Sequence, residues 1–339
     1  MDIALQPSAA AKILIAVSFW AFIFAAASTA QSQTPSPALL VLNKTANSLA
    51  IVDPATKQVV ARIDTGEGPH EVAASDDGKR AFVTNYGAKT PGNSLSVIDL
   101  VAQKEIHRVD LGPLGRPHGI LFADGKVYFT VELNKLIARY DPETNKVDWL
   151  LGIGQNRTHM LVRTKYLNEI FTSNVDSGTV TAIEKSSDPS GWKETDIAVG
   201  RGPEGIDISP DDKEVWAANS GDGTVSVIDT ATGKVTHTFN AHTKHSNRLK
   251  FTIDGKLVLI SDPATDELIV VDAATKKIVK QLNVGRGPGG ILIAPGGERA
   301  YVALAGDNAV DVIDLHTLEI TERIPTGPGP DGMSWAQRH

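Results

Sequence analysis

Cysteine is absent from all 339 residues. The chain therefore has no disulfides, no thiolate metal ligands and no cysteine for lipid attachment, although the compartment argued below would allow disulfides. Positive charge is also in the minority, with 33 Lys and Arg against 40 Asp and Glu and a formal net charge of −7. Such a chain is a poor partner for nucleic acid, whose binding rests on neutralising phosphates, so nucleic acid is an unlikely partner. A phosphate loop is missing: the glycine-rich GRGPGG at 285–290 is followed by neither Lys-Ser/Thr nor a helical pattern. There is no Gly-x-Ser-x-Gly nucleophile elbow. After the first 30 residues no segment sustains a helical period.

What is present begins with an export signal. Lys12 precedes an apolar run over 13–27, and Ser28 and Ala30 put small residues at the −3 and −1 positions of a signal-peptidase site. The run, at about 15 residues, falls short of the roughly 20 that span a bilayer as a helix. Residues 1–30 read as a signal peptide, 31–37 (QSQTPSP) as a flexible lead and 38–339 as the folded domain. The expected location is periplasmic or secreted, with no stable membrane association after cleavage.

The folded part is organised on a repeat. GEGPHEVAASDDGK at 66–79 returns as GRPHGILFADGK (115–126), NRTHMLVRTKY (156–166), GRGPEGIDISPDDK (200–213), KHSNRLKFTIDGK (244–256) and GRGPGGILIAPGGE (285–298). A truncated seventh copy, GPGPDGMSW, lies at 327–335. The interval is roughly 41–48 residues, in the range of repeat architectures. Within each unit, short Val/Ile/Thr-rich alternating runs sit between Gly/Asn/Asp turns, which is the pattern of strands. Four antiparallel strands per unit make a propeller blade. The chain starts inside a blade and ends on an orphan first strand. The expectation is an all-β, seven-bladed β-propeller, four antiparallel strands per blade, with the ring closed by pairing the C-terminal strand with the N-terminal strands.

AFVTNYG, NSLSVIDL, GTVSVIDTATGKV and RAYVALAGDNAVDVIDL resemble the YVTN-repeat family of seven-bladed propellers over about 38–335. The resemblance implies an exported bacterial β-propeller. It names no activity, because members include surface-layer and periplasmic proteins and related propellers carry dehydrogenase subunits and lyases.

One repeat position departs from pure scaffold. Just after the Pro of each innermost strand, or its equivalent (Thr158 and Ser246), stand, blade by blade, His70, His118, His159, Glu204, Asn247, Gly289 and Asp331. Innermost strands line the central channel, so these seven form a ring at one mouth. Three imidazoles and a carboxylate on one axis suit a divalent transition metal such as zinc, copper or iron. His70, His118 and His159 are the expected ligands. Glu204 is a fourth ligand or general base, and Asp331 orients an imidazole or binds substrate. His245 is a weaker candidate, and His107, His237, His242 and His316 fall on outer strands or loops.

Arg116, Arg157, Arg201 and Arg286 precede ring positions, and Arg248 enters an innermost strand, which together favour a small anionic ligand. Tyr86, Glu132, Asn85, Asn174 and Asn219 sit in turns expected to wall the same mouth. The expected function is a metal-dependent lyase or hydrolase acting on a small anionic or lactone-like substrate. The alternative is a non-catalytic periplasmic binding or scaffold propeller holding a ligand or protein partner, with nucleic-acid binding a distant third.

Overall fold

A computed structural model describes residues 1–3, 33–187 and 191–338. From residue 4 onward the expected signal peptide lies outside the described residues. The remainder is seven four-stranded antiparallel sheets, as the repeat implied. Blades one to six run in sequence, beginning with the strands Pro69–Ala74, Pro117–Ala123, Thr158–Arg163, Pro203–Ile208, Leu249–Phe251 and Pro288–Ile293. The seventh is composite. Its innermost strand, Pro330–Ala336, pairs with Ala38–Asn43, and Ser48–Asp53 and Gln58–Asp64 follow outward. Closing the ring this way leaves no unpaired seam between first and last blade.

The second and third strands of each blade are buried on both faces, and strand alternation divides their side chains between two cores. In the closing blade, Leu40, Leu42, Leu49 and Ile51 pack with Val72, Val83 and Ile98 of blade one. The intervening Leu39, Val41, Ala50 and Val52 pack with Tyr301, Val310 and Val312 of blade six. Both faces being covered explains the nearly continuous apolar runs ALLVL and LAIV. Outermost strands such as Lys104–Asp110 are largely exposed, and their sequences are polar.

The described part of the expected lead does not trail free of the propeller. Thr34 is buried, its hydroxyl donates to the Leu100 carbonyl, and the Ser36 hydroxyl donates to the Arg338 carbonyl. The extreme ends of the folded chain are thereby tied together beside the composite blade.

Two local devices fix the channel-facing ring. The first is a β-bulge. Pairing of innermost with second strands slips by one residue between Pro69 and Val72, Pro117 and Ile120, Thr158 and Leu161, Pro203 and Gly205, and Pro288 and Ile291. The composite blade has the same irregularity beside Asp331. A bulge re-aims the side chain it carries, here toward the axis. The second is a hydroxyl on the next strand. Thr84 accepts from the Glu71 N–H (3.1 Å) and donates to the His118 carbonyl of the following blade (2.7 Å). Thr130, Ser173 and Ser261 do the same for the carbonyls of His159, Glu204 and Gly289. Each hydroxyl thus ties its own blade's innermost strand to the next blade's ring residue.

Candidate metal centre

The bulges bring the three ring histidines into one column. The ring centroids of His70 and His118 are 4.1 Å apart, and those of His118 and His159 are 3.7 Å apart. His118 is fully buried and His159 nearly so. Neither nitrogen of His118, nor Nε2 of His159, has a hydrogen-bond partner among the described residues. A buried, unpaired polar group costs about 1–3 kcal/mol, so such atoms normally have a partner.

His159 is oriented from behind. Its Nδ1 lies 2.6 Å from Glu132 Oε1, and Tyr86 donates its phenolic hydrogen to Glu132 Oε2, also at 2.6 Å. As the acceptor is a carboxylate, the proton of a neutral His159 sits on Nδ1 and its lone pair on Nε2. Burial alone would raise the Glu132 pKa, but the hydrogen bonds from His159 and Tyr86 and the charge of Arg157 hold it below the ordinary value. His118 is pushed well below the usual imidazole range by burial and then by the neighbouring imidazoles. His70 moves the same way through burial and the charge of Lys44. Both are therefore neutral at pH 7, the state in which imidazole binds metal.

His118, Glu132 and His159 each offer one ligand atom within 4.8 Å of the others, so this cluster can hold a metal ion. It differs from the expected set. His70 stands beside His118, with Nε2 2.8 Å from Lys44 Nζ and Nδ1 3.1 Å from Asp331 Oδ2, the latter without hydrogen-bond alignment. Glu132, read from the sequence as a wall of the mouth, takes the third place.

Glu204 and Asp331 flank the column. Glu204 Oε1 is 3.8 Å from His159 Nε2 and accepts from the Asn247 amide at 2.9 Å. Burial raises the Asp331 pKa despite the opposing charges of Arg248 and Lys44. Glu204, Asp331, His70, His118 and His159 all open on one cavity of about 450 Å³, together with Lys44, Tyr86 and Arg157. His245 is exposed, 3.9 Å from Glu204, and His107, His237, His242 and His316 are exposed away from it.

The expected arginine ring comes together only in part. Arg157 lines the cavity, and Arg116 stacks over the Tyr86 ring at 4.7 Å. Arg201 and Arg286 are exposed and outside the cavity lining, and Arg286 is held by Asp307 at 2.7 Å. Arg248 is buried on the axis, where it pairs with Glu71 from the far side of the channel and lies 3.9 Å from Asp331. Burial opposes its charge, but Glu71, Asp331 and Glu204 more than compensate. It serves as a strut beneath the site. Asn85, Asn174 and Asn219, expected as walls, instead point into their blades. Asn85 donates to Ser94 and Ser96, Asn174 to Thr179 and Thr181, and Asn219 to Thr224 and Ser226.

Sequence reasoning missed Lys44 and Glu71. Lys44 follows a second strand, in the class of turn that does open at this mouth. Glu71 shares the bulge with His70, where simple alternation would have turned it away.

Two family models each match more than half of the chain: a YNCE-like beta-propeller over residues 2–195 and the cytochrome D1 heme domain over 115–297. No curated protein matches. Solved structures share the fold at low identity. A functionally unknown protein from Desulfotomaculum acetoxidans has a TM-score of 0.74 at 12% identity, covering 90% of this chain and 100% of that one. A Bacteroides uniformis protein provisionally assigned as a 6-phosphogluconolactonase has 0.73 at 14%, covering 88% and 99%. Dihydro-heme d1 dehydrogenase in complex with DHE has 0.63 at 15%, covering 89% and 76%.

Proposed function

We propose, from the premise that this chain belongs to the YNCE-like β-propeller family, that it is an exported propeller with a divalent transition metal at its channel mouth. His118, His159 and Glu132 would hold the ion, and a small anionic ligand would bind beside it. The observation that carries this reading is the cluster of buried imidazole nitrogens without hydrogen-bond partners among the described residues: both of His118, Nε2 of His159 and, beside them, Nδ1 of His70. Glu132 orients His159, and burial keeps His118 unprotonated. Imidazole with carboxylate suits zinc, copper or iron, and a vacant position allows the metal to polarise a carbonyl or activate water. Glu204, 3.8 Å from His159 Nε2, is placed to act as general base, and Asp331 with His70 borders the substrate space. The chemistry is that of a hydrolase or lyase. Metal bound without turnover would mark the binding-protein alternative.

A second reading draws on the match to the cytochrome D1 heme domain, which spans His118 and His159. In it, one of these imidazoles would hold the iron of a tetrapyrrole at the same mouth, which would supply redox chemistry. Elemental analysis of protein purified from the periplasm, beside His118→Ala, tests the first reading. Near-stoichiometric zinc, copper or iron, lost in the variant, is expected. Protein without metal that instead develops a His118-dependent Soret band with hemin would replace the first reading with the second.

A further inference from the structure

A second constellation borders the cavity at the composite blade, outside the metal centre. Lys44 opens the short turn Lys44–Ala46, and its backbone N–H is pinned to the Gly329 carbonyl at 2.8 Å. Its Nζ lies 2.8 Å from His70 Nε2, and His70 Nδ1 lies 3.1 Å from Asp331 Oδ2. Lys44 Nζ is itself 3.8 Å from that carboxyl oxygen, beyond hydrogen-bond reach. An ammonium only donates, so His70 Nε2 accepts and the proton of the neutral ring sits on Nδ1, facing Asp331. Lys57, Lys126, Lys250 and Lys276 pair instead with carboxylates, which hold an ammonium in its charged form. The imidazole beside Lys44 offers a lone pair that can take the proton away.

A nucleophile, a base within hydrogen-bond reach and a third group behind the base make the arrangement that activates a nucleophile. All three residues line the same cavity, and the Lys44 side chain is 40% exposed, so a small molecule can reach its nitrogen. Burial, and after it the charge of Lys44, keeps His70 neutral, the form that accepts a proton. Burial also raises the Asp331 pKa toward the form that donates one. Environments that push two groups apart in this way separate base from acid.

We propose that Lys44 is a nucleophile that condenses with a small aldehyde or ketone in this cavity to form an imine, with His70 as its base and Asp331 as the acid for the leaving oxygen. The amine lone pair forms the N–C bond as the carbonyl π bond breaks, and loss of the oxygen as water closes the C=N bond. One Lys44 proton passes through His70 to Asp331, and Asp331 protonates the leaving hydroxyl. A second proton moves from nitrogen to oxygen in the adduct, and the third stays on the nitrogen. The products are a protonated imine and water, with His70 and Asp331 restored. The step needs no metal, so it stands or falls separately from the centre proposed above.

The test treats the protein in chelator with glyoxylate and cyanoborohydride, which reduces an imine to a stable secondary amine, and locates modified lysines by peptide mass spectrometry. Wild type is compared with Lys44→Arg, His70→Gln and Asp331→Asn. Lys44 should be modified at least about tenfold faster than the exposed Lys79 and Lys256, a fraction of the roughly 100-fold or more that positioned acid–base groups contribute. Lys44→Arg should lose that adduct and leave the others unchanged. His70→Gln and Asp331→Asn should each bring Lys44 down to the rate of the exposed lysines, and the asparagine variant serves if the glutamine variant does not fold. Lys44 modified no faster than Lys79 and Lys256 in wild type would overturn the proposal. A fast Lys44 that neither variant slows would overturn the roles of His70 and Asp331.

Discussion

Replacing His118 by leucine should make the metal-free protein more stable. His118 is fully buried with both ring nitrogens unpartnered among the described residues. At about 1–3 kcal/mol each, those two groups cost the folded state about 2–6 kcal/mol. Leucine, of similar size, removes the cost but forfeits the ring contacts to His70 and His159, at roughly 0.5–1.5 kcal/mol each. The net gain is about 1–3 kcal/mol. With an unfolding entropy near 2.1 cal/mol/K per residue, a propeller of this size should melt about 2–5 °C higher. The assay is thermal unfolding by circular dichroism in chelator and with added zinc. In chelator the variant should melt above wild type. In zinc the order should reverse, because only wild type gains RT ln(1 + [L]/Kd), about 4.1 kcal/mol at a thousandfold excess over Kd. A variant that melts lower in chelator would refute the claim that these nitrogens are unsatisfied. One that gains as much from zinc as wild type would refute their role as ligands.

Glu132→Gln keeps the shape but removes an anionic ligand and weakens the hold on His159 Nδ1, and should weaken zinc binding by at least about 10–100-fold in a competition titration with a chromophoric chelator. Stability should also depend on pH through His70 and His118, whose folded pKa values are depressed by burial. Below about pH 6.5 the unfolded chain binds protons that the folded one does not. Stability is then lost as pH falls below about 6.5, at up to about 2.7 kcal/mol per pH unit for the two together and roughly half that in His118→Leu, as read from urea unfolding in chelator. Arg248→Met strands Glu71 and Asp331 and should cost about 3–5 kcal/mol, whereas Arg248→Met with Glu71→Leu should recover much of it. A double variant as unstable as the single one would mean that the pair is not the strut.

The fold was legible because every level of the repeat agrees. Alternation, turn residues and the orphan strand at 330–336 all specify the same closed ring, and the shared core of Leu39, Val41, Tyr301 and Val310 follows from it. The ring positions were legible as well, since aligning the repeats superposes His70, His118, His159 and Glu204 on one spot. Hidden from the sequence were the side chains whose direction depends on the bulge or on a nearby partner. Glu71 faces the channel because the bulge offsets it, and Asp307 holds Arg286 away from the cavity. Asn85 and Asn219 look like mouth residues by position, yet each has two hydroxyls waiting on the adjacent strand. Glu132 was recognised at the mouth, but its bond to His159 crosses from blade two to blade three, and no pattern within one repeat reports such a contact.

The most direct test of the metal centre is a crystal structure of zinc-loaded protein with anomalous data collected on both sides of the zinc edge. The account predicts one strong peak at the channel mouth, about 2.0–2.2 Å from a nitrogen of His118, a nitrogen of His159 and a carboxylate oxygen of Glu132. No peak at the mouth, or zinc held only by exposed histidines such as His245 or His316, would contradict it.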